Sequence, residues 1–419
     1  MLVRHARSSR ARTLRRTSSA LASVVALSTA AAGCTSSLAD HAEDVPAVVD
    51  TPSTPPPPPV SEASIKTNVR DGARHVRVDE TVRIRVRQGT FENVRVTVRG
   101  GELADDGRLR GRMNPARTVW TATERLEPGL RYTVLARATD AEGLPKTSKT
   151  RFRTDDLTLD EQTYASIAPL AGETVGVGMP VIIQFDIAVT DHASIERHLS
   201  VETTPKQAGA WHWISDHEVH WRPKTYWEAG TDVTVHADIN SVPAGNGIFG
   251  QMDREVSFSI GDAMVSKINV PAHQMKVYRN GELLRTIPIS AGKEGFTTRS
   301  GTKVIIAKHR RKRMNAATIG IDRNDPEYYN LANVEYAMRV TYSGEFLHAA
   351  PWSESVQGEA NVSHGCVGMS TEDAAWLYNL SRRGDVVEVV GTDRQMTLTN
   401  GYGDWNLSFA AYKQGSALN

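Results

Sequence analysis

The chain has 419 residues, 40% hydrophobic and 23% charged, with 49 basic against 48 acidic side chains and only two cysteines, Cys34 and Cys366. That length implies roughly two to four domains of about 100–200 residues. A net charge of +1 supplies no global field for a nucleic-acid partner, ordinary apolar content excludes wholesale disorder, and no stretch reaches the ~18–20 apolar residues of a spanning helix.

Arg4, Arg7, Arg10, Arg12, Arg15 and Arg16 open the chain without an acid among them, and residues 20–32 form a short apolar run ending in small side chains. Residues 1–34 therefore read as a secretory signal. Its end, Ala31-Ala32-Gly33-Cys34, resembles a bacterial lipobox with Ala31 where Leu is expected, so Cys34 is the expected lipidation site and membrane contact. Ordinary cleavage after an A-x-A-like site is the alternative, and Arg15-Arg16 leaves the export route open. Residues 35–64 are rich in Ser, Thr, Asp and Pro, with five consecutive prolines at 55–59. Such a linker favours extended polyproline II at ~3.1 Å per residue, a semi-rigid spacer. The expected location is outside the cell, anchored to the outer face of the cytoplasmic membrane and acting in the wall.

From residue 65 the pattern has period two: Val82, Ile84 and Val86 alternate with Arg83, Arg85 and Arg87, and Val94, Val96 and Val98 with Arg95, Thr97 and Arg99. Such alternation puts valines on one strand face and arginines on the other. The region also repeats. Trp120, Gly129, Tyr132, Val134 and Ala136 match Trp221, Gly230, Val233, Val235 and Ala237 at a constant offset of 101 residues, near the size of an immunoglobulin-like sandwich. Two tandem sandwiches are expected, over residues 65–156 and 157–260. His212, His217, His220 and His236 lie among Trp211, Trp213, Trp221 and Trp227 in a spacing that fits no ligand motif, and read as core rather than a metal or sugar site. The arginine faces are either solvated or in touch with anionic wall polymers.

The second thiol sits in Ser363-His364-Gly365-Cys366-Val367-Gly368-Met369-Ser370, and another histidine lies upstream in Phe346-Leu347-His348-Ala349-Ala350-Pro351-Trp352. A thiol attacks a carbonyl only as thiolate, and a nearby histidine can take its proton or, as imidazolium, lower its pKa. Gly365 lets backbone N–H groups approach a reacting carbonyl, which makes the amides of Gly365 and Cys366 candidate oxyanion donors. Zinc is the competing reading, with His348, His364 and Cys366 as ligands; no CxxC or HxxxH partner accompanies them, and Glu372 or Asp373 would have to be the fourth. An inert buried cysteine is the third reading, and it leaves the Ser-His-Gly flank unexplained.

These residues resemble the L,D-transpeptidase (YkuD-type) catalytic domain. That family's signature is a histidine, fourteen to seventeen residues, then Ser/Thr-His-Gly-Cys, a hydrophobic residue and Asn; here it reads His348, fourteen residues, Ser363-His364-Gly365-Cys366 and Val367. The resemblance runs from about residue 261 to the end and takes in Gly281, Ala291-Gly292-Lys293, His348-x-Ala350-Pro351-Trp352, Arg383-Gly384-Asp385 and Gly403-Asp404-Trp405-Asn406. It implies a β-rich catalytic domain over residues 261–395 and a short C-terminal extension, 396–419, packing on it. The expected fold is thus mainly β, two immunoglobulin-like sandwiches followed by the catalytic domain, an actinobacterial-type lipoprotein architecture. Two positions depart from the pattern: Gly368 replaces the Asn, and Ala349 stands where several relatives have Ser.

The resemblance implies Cys366 as nucleophile and His348 as general base. Ser363, His364, Gly365 and Ala349 would be supporting or oxyanion groups, and Met314, Tyr329, Trp352 and Gly368 substrate-binding ones. A lid over residues 302–340 would cover the cleft, with Lys308-His309-Arg310-Arg311-Lys312-Arg313 either a cationic rim or a solvated loop. No metal or cofactor is implied. Cys366 would attack a tetrapeptide stem of peptidoglycan, release D-Ala and pass the acyl group to diaminopimelate on a neighbouring stem, giving a 3→3 cross-link; carbapenems would acylate the same sulfur. With water or a protein amine as acceptor, the same thioester would make an L,D-carboxypeptidase or a protein-to-wall transpeptidase. A catalytically silent wall-binding protein is the reading from a different class.

Overall fold

The computed structural model describes residues 58–100 and 107–419; the expected signal, the lipidation site Cys34 and most of the spacer lie outside them. From Pro59 to Asn419 the chain forms one compact unit.

The first sandwich pairs two antiparallel-rich sheets of four strands. One runs Ser64–Thr67, Arg83–Arg87, Val119–Ala122, Gly111–Met113, and the other Ala73–Val76, Pro145–Thr154, Arg131–Thr139, Thr90–Arg99. Val82, Ile84, Val86, Val96 and Val98 are buried between them with Trp120, Tyr132 and Phe152, while Arg83, Arg85 and Arg87 face out, as the period-two pattern requires. The second sandwich repeats the plan, with Ala165–Ala168, Val181–Phe185, Glu218–Pro223, Gly209–Ser215 on one side and Thr174–Val175, Arg254–Ile260, Asp232–Ala237, Leu199–Thr204 on the other.

The repeat extends to a packing device. A Cβ on Gly111 would fall 2.2 Å from Cζ2 of Trp120, and one on Gly209 would fall 2.1 Å from Cζ2 of Trp221. In each copy this glycine pairs with the residue two beyond the tryptophan, Gly111 with Ala122 and Gly209 with Pro223. The indole of each core tryptophan thus lies across its neighbouring strand in space that only glycine leaves open.

The catalytic domain is built on a five-stranded sheet, Glu282–Pro288, Gln274–Arg279, Met264–Asn269, Val386–Val390, Gly301–Val304, and a four-stranded one, Ala307–Asn315, Asn330–Arg339, Phe346–Ala349, Val367–Met369. Helix Thr371–Leu380 is capped by Ser370, whose side chain accepts from Asp373 N, and buries Ala374 and Leu377 in the shared core. The lid is narrower than the sequence suggested. Thr302 to Val304 pair with Val386 to Glu388 inside the five-stranded sheet, and only the hairpin Ala307–Asn315 with Asn330–Arg339 and its connection reach the cleft. The basic run occupies a strand of that hairpin and is largely paired: Lys308 donates to Ser381 O, Arg310 and Arg311 meet Glu335, and Arg313 Nε donates to Asn330 Oδ1 at 2.9 Å.

The C-terminal extension does not pack on the catalytic domain alone. Asn406 grips Thr302 through both backbone groups, at 2.9 and 2.7 Å, but Trp405 Nε1 donates to Gly178 O at 2.7 Å, Arg222 Nη2 to Leu407 O at 2.9 Å, and Ala417 N to Glu196 Oε2 at 2.8 Å. The cause is Arg222, 2% exposed: its guanidinium is enclosed by the rings of Trp405, Phe409 and Tyr412, which cover it only by lying on the second sandwich.

Of the four histidines named from the sequence only His220 lies in the core, and His212 and His220 join the sandwich to the extension. His212 Nδ1 meets Tyr412 O at 2.7 Å and His217 Nδ1 meets Phe185 O at 3.0 Å, while His236 faces Glu255. His220 lies 2.8 Å from both Asp404 Oδ1 and Glu218 Oε1. Burial alone would lower its pKa, but the two carboxylates outweigh that and raise it to about 9. A folded pKa above the unfolded ~6.5 gives a stability contribution complete below that value and lost as pH rises through the folded one. The melting temperature is therefore expected to fall between about pH 7 and pH 10, less steeply in His220→Gln; calorimetry across that range checks it.

Candidate active site

His348 and Cys366 come to one cavity because Phe346–Ala349 and Val367–Met369 are adjacent parallel strands, with His348 beside Gly368 and Cys366 at the entry to the second strand. Both line one cavity of about 270 Å³, together with Met314, Tyr329, Trp352, Ser363, His364 and Gly368. Of the residues named from the sequence, Ala349 and Gly365 stand behind that lining. Ser290, Leu331, Ala350, Ser353 and Val362 complete it; of these only Ala350 lay in a motif, and an apolar residue in the lid strand was the available signal for Leu331. Trp352, 56% exposed, forms the mouth and stacks on His348 at 5.8 Å between ring centroids.

The loop carrying the thiol is clamped by Ser363. Its Oγ donates to Cys366 O at 2.6 Å and accepts from Gly365 N at 3.1 Å. Gly365 adopts φ +117, a left-handed conformation that favours glycine, and its carbonyl accepts from Thr298 Oγ1 at 2.8 Å. The Gly365 amide expected as an oxyanion donor is thus already engaged by Ser363 in this state. His364 Nε2 lies 2.7 Å from Glu327 Oε2, which also accepts from Lys293 Nζ at 2.6 Å, and its ring contacts Phe296 and Tyr329. That imidazole is tied into the wall of the cleft.

His348 Nδ1 meets the carbonyl of Ala349 at 2.8 Å. A carbonyl only accepts, so Nδ1 carries the hydrogen and Nε2 the lone pair. The Ala349 contribution is a backbone one, which is why replacing Ser by Ala at this position leaves it intact. Burial lowers the His348 pKa, and burial pushes the Cys366 thiol up to about 12. The resting pair is a neutral thiol, its Sγ 3.7 Å from Gly344 O, with a neutral imidazole.

Behind the thiol lies a buried cluster that no motif announced. Glu345 Oε2 is 2.5 Å from Lys303 Nζ, and its Oε1 is 2.7 Å from Arg299 Nη1; Lys303 is 1% exposed and Glu345 4%. Lys303 favours the Cys366 thiolate and Glu345 opposes it. Gly368, where the family signature has Asn, exchanges two backbone hydrogen bonds with Ser290 at 2.9 and 2.8 Å. A Cβ there would lie 2.7 Å from that of Ala350, so any larger residue would have to displace Ala350, at the turn that follows strand Phe346–Ala349.

Comparison with known proteins identifies the family of the chain. The L,D-transpeptidase catalytic domain family matches residues 264–389, and the bacterial Ig domain family matches residues 73–243. L,D-transpeptidase 2 of Mycobacterium tuberculosis is 34% identical over 355 residues, 84% of this chain and 85% of that protein. L,D-transpeptidase 5 of the same species is 32% identical over 370 residues, covering 86% and 78%. A solved LD transpeptidase in complex with imipenem is 37% identical, spanning 55% of this chain and 99% of its own, with a TM-score of 0.48. The chain belongs to the L,D-transpeptidase family.

Proposed function

We propose that the chain forms 3→3 cross-links in peptidoglycan through an acyl-thioester on Cys366. The observation that carries this reading is the single cavity shared by a buried thiol and an imidazole whose tautomer leaves Nε2 as base. His348 Nε2 takes the thiol proton as Sγ attacks the carbonyl of the third residue of a tetrapeptide stem. The oxyanion is held by backbone N–H groups of the Gly365-Cys366 turn, with Gly365 N exchanging Ser363 Oγ for the substrate. Collapse of that intermediate breaks the peptide bond to D-Ala, whose amine leaves with the proton held by His348. The side-chain amine of diaminopimelate on a second stem then attacks the thioester, gives its proton to His348 and releases the thiol, so atoms and charge balance over the two steps. A carbapenem carbonyl enters the same path as a donor whose leaving amine stays tethered. Export and lipidation at Cys34 would set the enzyme at the outer membrane face, and the proline-rich segment would carry it toward the wall.

Mass spectrometry of the purified chain with a tetrapeptide donor and a diaminopimelate-bearing acceptor tests the proposal. A dimer lighter than the sum of donor and acceptor by one D-Ala is expected. Tripeptide alone would identify a carboxypeptidase, transfer only to a protein amine would identify a wall-attaching enzyme, and no thioester would leave a silent wall-binding protein.

A further inference from the structure

Charge is segregated along the chain. Between residues 59 and 156 there are 20 Lys and Arg against 14 Asp and Glu, whereas residues 157–419 hold 23 against 30. A cationic first sandwich therefore precedes an acidic remainder, a difference hidden by the overall charge of +1.

Five of these cations share the outer face of one sheet. Arg83, Arg85 and Arg87 project from a single strand, alternating with buried Ile84 and Val86, at a spacing of about 6.8 Å from ~3.4 Å per residue. Lys66 is directly opposite Arg85, Ser64 opposite Arg87, Arg83 opposite Thr121, and Thr121 opposite Arg112. Like charges directly opposite one another destabilise a ladder. Among the described residues no carboxylate pairs with Lys66, Arg85 or Arg87. Lys66, Arg83 and Arg85 line a shallow cavity of about 500 Å³ with Asn68, Thr81 and Glu80, and the one acid there is engaged by Asn68 Nδ2 at 2.6 Å.

The chemistry of the face narrows its partner. Phe91, Trp120, Tyr132 and Phe152 are all buried in this sandwich, and among its described residues Val60 alone is a strongly exposed large hydrophobic. The sheet thus offers no apolar wedge for a bilayer and no ring on which a base stacks. It offers regularly spaced cations interleaved with the hydroxyls of Ser64 and Thr121. We propose that this face binds an acidic polysaccharide, taking its anionic groups on Lys66, Arg83, Arg85, Arg87 and Arg112 and its hydroxyls on the intervening polar side chains. The reading of the chain as a wall enzyme supplies only the place where such a polymer is met; the binding itself does not involve Cys366.

The test uses the chain from residue 59 onward, one compact unit, on polygalacturonate beads, neutral dextran beads and phosphatidylglycerol vesicles. Retention on polygalacturonate at low salt, lost as salt rises, is expected, with none on dextran. Arg85→Glu combined with Arg87→Glu should weaken it by about tenfold or more. Lys66→Glu should also weaken binding while raising the melting temperature, because it puts a carboxylate opposite Arg85; a merely solvated face would give the second effect without the first. Cys366→Ala should bind as the parent does, so failure of cross-linking and failure of binding are told apart. Retention no greater than on dextran, equal retention by the charge-reversed variant, or tighter binding to vesicles than to polygalacturonate would overturn the proposal.

Discussion

Replacing His348 by glutamine is expected to leave the fold intact and to slow acylation of Cys366 by about 10²–10⁴-fold, the usual contribution of a positioned general base. The loss should fall at the large end because burial holds Cys366 as a neutral thiol in the resting state, so the proton must leave during attack. Glutamine can still donate to Ala349 O, which preserves the local structure while removing the basic nitrogen. The pH profile adds a second check. The His348 pKa is lowered by burial, so its basic form persists at pH values below the ordinary ~6.5, and acylation should hold its rate through neutrality and decline only in acid. Alkylation of the free thiol by iodoacetamide should, by contrast, still be climbing above about pH 9. Intact-mass kinetics of carbapenem adduct formation measures both rates; acylation by His348→Gln within a few-fold of the parent would remove His348 from the mechanism.

Glu345→Ala should cost about 3–5 kcal/mol of stability, the range for removing one partner of a buried ion pair. Lys303, 1% exposed, and Arg299 would be left facing each other without their shared carboxylate. Lys303→Met with Glu345→Gln should recover part of that loss, because the buried cation goes with the buried anion, and urea denaturation of the two single variants and the double variant measures the coupling. The same variants separate a structural role from one in the chemistry. Glu345 follows Gly344, whose carbonyl faces Sγ, and the two charges act on the thiol in opposite senses. The alkylation midpoint of Cys366 should move up in Lys303→Met and down in Glu345→Gln; a cluster that only supports the fold would shift stability and leave both midpoints where they were.

What the sequence reveals here depends on how far apart the interacting residues are. Alternation along Arg83–Arg87 shows which side faces the core because adjacent residues of a strand point oppositely. His348 and Cys366 could be paired because one short connection joins their strands. The glycine seats under Trp120 and Trp221 were hidden for a geometric reason: Gly111 and Gly209 are 98 residues apart, not at the repeat offset, because the connections before the two tryptophans differ in length. The charged cluster was hidden because Lys303 lies in a strand of the five-stranded sheet and Glu345 in the loop before Phe346–Ala349 of the other, and they look, in one dimension, like a stray lysine and a stray glutamate beside apolar runs. The second neighbour of the extension was hidden because Glu196, His212 and Arg222 lie about two hundred positions upstream, beyond any local pattern.

The docking of residues 404–417 also has a consequence for how the molecule is made. Glu196, His220 and Arg222 are buried groups of the second sandwich with partners in residues 404–417, which leave the ribosome after the whole catalytic domain. Until then His220 has only Glu218, Glu196 only Trp213, and Arg222 only nearby backbone carbonyls to offset their burial. The second sandwich therefore reaches its final stability only after the whole catalytic domain has been synthesised. A chain that stops before residue 404 presents an uncapped module to proteases.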